Sequence, residues 1–168
     1  AQDLQKAEQL IQDRRQNWSR HEVDIVETLT QLCKRLEIVF FDQKTFPLSK
    51  KPDFAIELAG QYLVFDAKAP ADPEHPEAFL DYLKKQAESL EKYFKQEGVR
   101  KEGFLVVPTD SLSHLRGKFF FEVGPNKIHV VPKESLEALL RLLKKFEEYE
   151  MVQTLGPEAQ DEIANFIG

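Results

Sequence analysis

A chain of 168 residues that is 42% hydrophobic and 11% aromatic carries enough apolar material for one domain with a real core. No apolar run approaches membrane-spanning length, no signal-peptide pattern is present, and the single cysteine, Cys33, excludes an internal disulfide. The net charge of −6 argues against a generally basic nucleic-acid binder, leaving only one that works through a local basic face. The four histidines are scattered, so no zinc-ligand set is visible. Cys33 sits in an apolar helical pattern and reads as a buried reduced thiol of a cytoplasmic protein. The chain begins at alanine, which suggests a fragment or a processed protein.

Residues 1–17 contain no helix breaker and space Leu4, Ala7 and Ile11 weakly, predicting a mostly solvated helix. Residues 1–18 are set apart as this helix, the stub of a longer helical segment or a short helix in its own right, and residues 19–168 as the α/β domain. Ser19 is placed to cap a second helix from Arg20 to about Leu36, with Glu22 at capping-box spacing. Ile25, Leu29, Leu32 and Leu36 mark its buried stripe; Glu22 borders it, and Glu27 lies further toward solvent. Ile38 to Phe41 is predicted as the first strand, followed by a polar loop over 42–51.

Two apolar runs, FAIEL and YLVF, then flank a break at Ala59-Gly60-Gln61 and predict a β-hairpin. Asp53 opens its first strand. Asp66 and Lys68 close the second, two residues apart and so on one face. Two carboxylates and a lysine at strand ends suit a divalent cation such as Mg²⁺, which takes a few hard oxygen ligands. The plainer alternative is a surface hairpin with an exposed Asp–Lys pair. Against it, YLVF is apolar enough for mid-sheet, where unpaired charge is costly.

Ala69 to Glu77 carries three prolines and is a predicted loop at the lip of this site. His75 to Glu97 reads as one long helix ended by Gly98, striped by Phe79, Leu83, Gln86, Leu90 and Tyr93. Gln86 is either a core glutamine bonded to backbone or a group reaching into the cleft. Lys84, Lys85, Lys92 and Lys95 form either a solvated face or a phosphate track. Gly103 to Pro108 is a strand of central type, Thr109 to Leu115 a loop or short helical turn, and Lys118 to Val123 and Lys127 to Val131 a strand pair around Gly124-Pro125-Asn126. Pro132 starts an amphipathic helix to about Glu150, buried through Leu136, Leu139, Leu140, Leu143 and Phe146, and a last short helix follows with Ile163 and Phe166 as contacts. Strands with helices before and after predict an α/β fold with a mixed central sheet flanked by helices.

Pro52-Asp53, thirteen residues, then Asp66-Ala67-Lys68 resembles the signature of the PD-(D/E)xK nuclease superfamily. The resemblance implies a restriction-endonuclease-like core, α-β-β-β-α-β, an order that residues 20–107 reproduce. It is closest to the RmuC-type DNA-recombination proteins, through Lys51-Pro52-Asp53, Asp66-Ala67-Lys68-Ala69-Pro70 and Leu105-Val106-Val107-Pro108. That family also has a long helical segment before its nuclease domain; a glycine commonly precedes its glutamate, where this chain has His21. The resemblance implies Mg²⁺ or Mn²⁺ held by Asp53, Asp66, Glu22 and the Ala67 carbonyl, with Lys68 positioning the attacking water. Glu22 thus has two candidate roles, metal ligand and capping box. Recombination nucleases of the RecB type carry Gln and Tyr on the helix after the lysine, at closer spacing than Gln86 and Tyr93. Gln86, Lys84, Lys85 and Lys51 are the expected substrate contacts. The expectation is a metal-dependent nuclease acting on DNA in recombination, repair or restriction, with no membrane and with room for a homo-oligomer. The alternative is a catalytically silent module of the same fold that docks DNA or protein.

Overall fold

The computed structural model describes residues 2–154. The predicted last helix, with Ile163 and Phe166, lies outside the described residues. Among those described, no helix is long and apolar enough to cross a membrane.

Helix α1 (Gln2–Ser19) is exposed along most of its length and buries Trp18 near its end. It runs almost straight into α2 (His21–Leu36), broken only at Arg20. This corrects the expected cap. Ser19 is still helical, and its hydroxyl donates back to the Gln16 carbonyl at 2.9 Å, so it is not available to the N–H groups of α2. Glu22 therefore has no capping-box partner. α2 buries Ile25, Leu29, Leu32 and Cys33, and burial pushes the Cys33 thiol up to about 12, an inert group. Glu37 closes the helix in the left-handed region (φ 57°), and the Ile38 N–H returns to the Cys33 carbonyl at 2.9 Å. That turn uses up Ile38, so strand β1 begins two residues later than predicted, at Phe40–Asp42.

Strands β2 (Phe54–Leu58) and β3 (Gln61–Ala67) form the predicted hairpin. Its turn residues Ala59 and Gly60 both have positive φ, 50° and 80°, the twist that a two-residue hairpin loop needs. The chain then crosses through a 3-10 turn (Pro76–Ala78), α3 (Phe79–Ser89) and α4 (Glu91–Phe94) to β4 (Val99–Val107), parallel to β3. The long helix expected here is two. At the junction the Leu90 N–H is shared between the Gln86 and Ala87 carbonyls, and the Ser89 hydroxyl takes the Gln86 carbonyl as well. The buried positions of α3 are Phe79, Leu83 and Ala87, so Ala87 and not Gln86 continues the stripe. Gln86 is half-buried, and among the described residues its side chain has no hydrogen-bond partner, so the core-glutamine alternative fails.

A 3-10 segment (Thr109–Leu115), β5 (Phe120–Val123) and β6 (Asn126–Pro132) follow, and after a further 3-10 turn α5 (Leu136–Thr154) covers the sheet. The six strands run in the order β1-β2-β3-β4-β6-β5, with parallel pairs only at β3/β4 and β4/β6. The fold is thus α/β with a mixed sheet between helical layers. α2 and α5 bury Leu29, Leu136 and Leu140 against Phe54, Ile56, Phe65 and Val106. α3 and α4 bury Leu83, Leu90 and Phe94 against Val64, Leu105 and Ile128. Gly103 has no Cβ for a reason: one would sit 3.0 Å from both Phe94 Cζ and Val64 Cγ2. Phe146 departs from its predicted burial. It is exposed at the flank of α5, with the Arg100 guanidinium 5.6 Å from its ring centroid.

A row of rings crosses the sheet on the α2/α5 side. Phe54 meets Phe65, Phe65 stacks on Phe104, Phe104 on His129, and His129 meets Phe120, with centroids 5.1–6.3 Å apart. The helices cover the first members of the row and leave Phe120 exposed.

Candidate functional site

The hairpin register decides the site. Phe54 is opposite Phe65, so Asp53 and Asp66 stand opposite one another one step further along. Both are buried, at 8% and 4% exposure. The Asp53 N–H donates to Asp66 Oδ1 at 3.2 Å, and the Ala67 N–H donates to Asp53 Oδ2 at 2.8 Å. Gln43 Nε2 reaches Asp53 Oδ1 at 3.2 Å. Lys68 Nζ lies 2.8 Å from Asp66 Oδ2. The surface-hairpin alternative therefore fails, because the pair lies inside the fold.

The two carboxylates are not equivalent. Among the described residues, Asp66 has a cation in contact and Asp53 has only neutral donors. Burial, and then the Asp66 charge, push the Asp53 carboxyl up to about 8 against the pull of the Ala67 N–H, and Glu22 adds to the rise. Burial works against the Lys68 ammonium, but Asp66 and Asp53 outweigh it and hold its pKa above the ordinary lysine value. Burial also raises the Tyr93 phenol, with Asp66, Asp53 and Glu22 contributing.

Glu22 is exposed on the first turn of α2, where two clefts meet. One, of about 370 Å³, is lined with Asp53, Val26, Gln43 and Lys44. The other, of about 350 Å³, is lined with Lys68, Pro70, Pro73 and Tyr82, so the proline-rich loop does form a lip. Glu27 borders the Asp53 side only. Among the described residues, no three His, Cys, Asp or Glu side chains converge closely enough to form a complete metal-ligand set. Asp53 and Asp66 are brought together with Ala67 and Lys68, while Glu22 stands across the clefts. The donor chemistry nevertheless suits a hard divalent cation: two opposed carboxylates, one with no cationic partner, in a place where like charge is costly. A larger cavity of about 600 Å³ lies elsewhere, between Val39, the hairpin turn and the end of α5, and is remote from these groups.

None of the four predicted substrate contacts lines either cleft. Lys51 Nζ donates to the Phe46 carbonyl at 2.7 Å and braces its own loop. Lys84 and Lys85 are exposed on α3 and line neither cleft. Gln86 lines neither cleft as well. Three contributors went unnoticed in the sequence. His21 is buried, and its Nε2–H donates to the Val106 carbonyl at 2.8 Å; the Lys68 N–H shares that oxygen at 3.0 Å. Burial lowers the His21 pKa, keeping the ring neutral. This shared acceptor ties the start of α2, and with it Glu22, to the backbone of Lys68. The signal was present: His21 lies four residues before Ile25, on the buried stripe. Trp18, whose Nε1–H donates to Asp110 Oδ1 at 2.9 Å, extends the stripe one turn earlier. Tyr82 stands beside Lys68 and had no signal in the apolar pattern of α3.

If a cation is held here, Glu22→Gln should weaken its binding more than Glu27→Gln, because Glu22 alone faces both clefts and acts on Asp53. Titration calorimetry with Mn²⁺ on both variants measures this. A larger loss with Glu27→Gln would reverse the assignment. No family model, curated protein or solved structure matches the chain.

Proposed function

We propose that this chain is a metal-dependent nuclease domain of PD-(D/E)xK type that hydrolyses phosphodiester bonds in DNA. One observation carries the reading: two buried carboxylates, Asp53 and Asp66, oppose each other at adjacent strand ends with the Lys68 ammonium 2.8 Å from one of them. The run α2-β1-β2-β3-α3-α4-β4, with α3 and α4 together in the place of one helix, supports it, matching the order expected of a restriction-endonuclease-like core. The RmuC-type resemblance belongs to the same proposal, as does a cytoplasmic setting in which Cys33 stays reduced.

Asp53, Asp66, the Ala67 carbonyl and Glu22 are the groups that would hold Mg²⁺ or Mn²⁺. Bound there, the ion would activate water and offset charge building on the phosphate. Lys68 would donate from its ammonium to the attacking water, with Asp66 fixing its position. His21 is a positioning residue: through Val106 it holds Glu22 and Lys68 in one frame. Tyr82 and the loop at Pro70 and Pro73 would form the wall along which the nucleotide enters.

A second reading, a silent module that docks DNA or protein, is favoured by one feature. The carboxylates already take bonds from Lys68, Gln43 and backbone N–H groups, and among the described residues no third acidic side chain closes on them. Incubating the protein with single- and double-stranded DNA plus Mn²⁺, and with chelator, separates the two. Cleavage that needs the metal is the expected result. Intact DNA in both, with no Mn²⁺ uptake by calorimetry, would leave the docking module.

A further inference from the structure

Among the described residues, β5 is an edge strand that pairs only with β6. Natural edges are usually blunted by charge, proline or a bulge, because unpaired N–H and C=O groups are a template for another strand. This edge instead presents Phe119 and Phe120, 44% and 38% exposed.

The register shows which backbone groups are free. The Val130 N–H donates to the Phe119 carbonyl at 2.8 Å. In an antiparallel ladder the bonded pairs alternate, so residues 119, 121 and 123 turn their N–H and C=O toward β6, and Phe120 and Glu122 turn theirs outward. Among the described residues nothing bonds these outward groups. The Lys118 N–H is taken by the Leu115 carbonyl at 2.9 Å, which leaves the Lys118 carbonyl at the edge.

The edge reads Lys118-Phe119-Phe120-Phe121-Glu122: three aromatic residues between opposite charges. Turned antiparallel on itself about Phe120, it sets Phe120 opposite Phe120, and Lys118 opposite Glu122 twice. The outward Phe120 groups then exchange two hydrogen bonds, and each Glu122 N–H meets a Lys118 carbonyl. Moving the centre by one residue either way sets Lys118 or Glu122 opposite Phe120 instead. The same arrangement keeps like faces on one side, so the row Phe104–His129–Phe120 continues into the second copy. Charge, hydrogen-bond parity and aromatic exposure thus select one register and one partner.

We infer that two copies of this chain pair through β5 with twofold symmetry, joining their six-stranded sheets edge to edge in the register Lys118 opposite Glu122. Sedimentation analysis of the parent at micromolar concentrations should give a dimer that dissociates on dilution. Glu122→Lys sets four lysines around the junction and should raise the dimer Kd by about tenfold or more. The double change Lys118→Glu with Glu122→Lys restores both opposite-charge pairs and should recover the dimer. Far-ultraviolet circular dichroism of each variant checks that the fold persists, and Phe120→Lys gives an independent disruption if Glu122→Lys fails to fold. A monomeric parent overturns the proposal. So does a dimer that survives both single changes, and so does a double variant that stays monomeric while folded.

Discussion

Lys68→Ala is expected to abolish Mn²⁺-dependent DNA cleavage, a loss on the order of 10²–10³-fold, the range seen when one preorganised electrostatic group is removed from an active site. The Lys68 side chain is only 21% exposed, and its ammonium is held 2.8 Å from Asp66 Oδ2 at the rim of the cleft that Tyr82 lines. Removing it has a structural side as well. Asp66 would be left buried without its cation, and breaking such a pair by deleting one partner costs about 3–5 kcal/mol. A melt and a circular-dichroism spectrum of Lys68→Ala are therefore not enough to separate chemistry from folding. Lys68→Arg does so. It keeps a cation beside Asp66 but replaces a compact ammonium with a planar fork that cannot place a donor at the same point. Lys68→Arg should melt near the parent and still cleave far more slowly. If it cleaves at the parent rate, the position needs only a positive charge and Lys68 does not orient the water. If Lys68→Ala itself cleaves at the parent rate, the site is misassigned.

What the residues disclosed in advance follows their physics. The β2–β3 hairpin was legible because two β-rich runs flank an Ala-Gly break, and the alternation of side chains then put Asp66 and Lys68 on one face. Their contact at 2.8 Å is a consequence of that period. Apart from the split of one expected helix into α3 and α4, the element order up to α5 was legible for the same reason, since strongly periodic segments declare their type. What the period does not carry is where a helix stops when no glycine or proline marks the stop. The end of α2 at Leu36 was nevertheless placed by its apolar stripe, although Glu37, and not a glycine, takes φ 57° to close it. The break at Leu90 is unmarked, and the buried stripe of α3 runs through Ala87 and not Gln86.

Caps fail differently. Ser19 has the residue type and the spacing of an N-cap, but a cap must stand outside the helix, and α1 runs through it. The site itself was half legible. Asp53, Asp66 and Lys68 come from adjacent strands whose register a hairpin turn fixes. His21 and Tyr82 come from helices, and their positions beside Lys68 depend on how α2 and α3 dock against β3 and β4, which no local pattern records. The exposed Phe120 shows the same limit: KFFFEV reads as a strand, but whether it ends a sheet depends on which neighbours it lacks.

Asp53→Asn should make the metal-free protein more stable at neutral pH. Asp53 and Asp66 face each other inside the fold, and Lys68 relieves only Asp66. Neutralising Asp66 would sacrifice that ion pair, so Asp53 is the residue at which removing a charge is a net gain. An asparagine there keeps an oxygen to accept the Ala67 N–H and gains an amide that can donate to Asp66. The sign with pH follows from the carboxyl being pushed up to about 8 in the fold, against about 3.9 in an unfolded chain. Between those values the folded state binds the extra proton, so the parent loses stability as pH rises through this window, by up to about 1.4 kcal/mol per unit. At pH 4 the folded parent is protonated and nearly all of this penalty is absent, so the two proteins should melt close together. At pH 7.5 in chelator the variant should be more stable by about 1–3 kcal/mol, or roughly 3–10 °C in Tm for a chain of this size. Added Mn²⁺ should reverse the order. The parent gains RT ln(1 + [metal]/Kd), about 2.7 kcal/mol at a hundredfold excess over Kd, and the variant, missing one ligand, gains little. Melts of both proteins at pH 4 and 7.5, with chelator and with Mn²⁺, read every arm. Equal melting at both pH values would remove the strain from Asp53. A parent whose Tm ignores millimolar Mn²⁺ would remove the shared ion, and with it the nuclease reading in favour of the docking module.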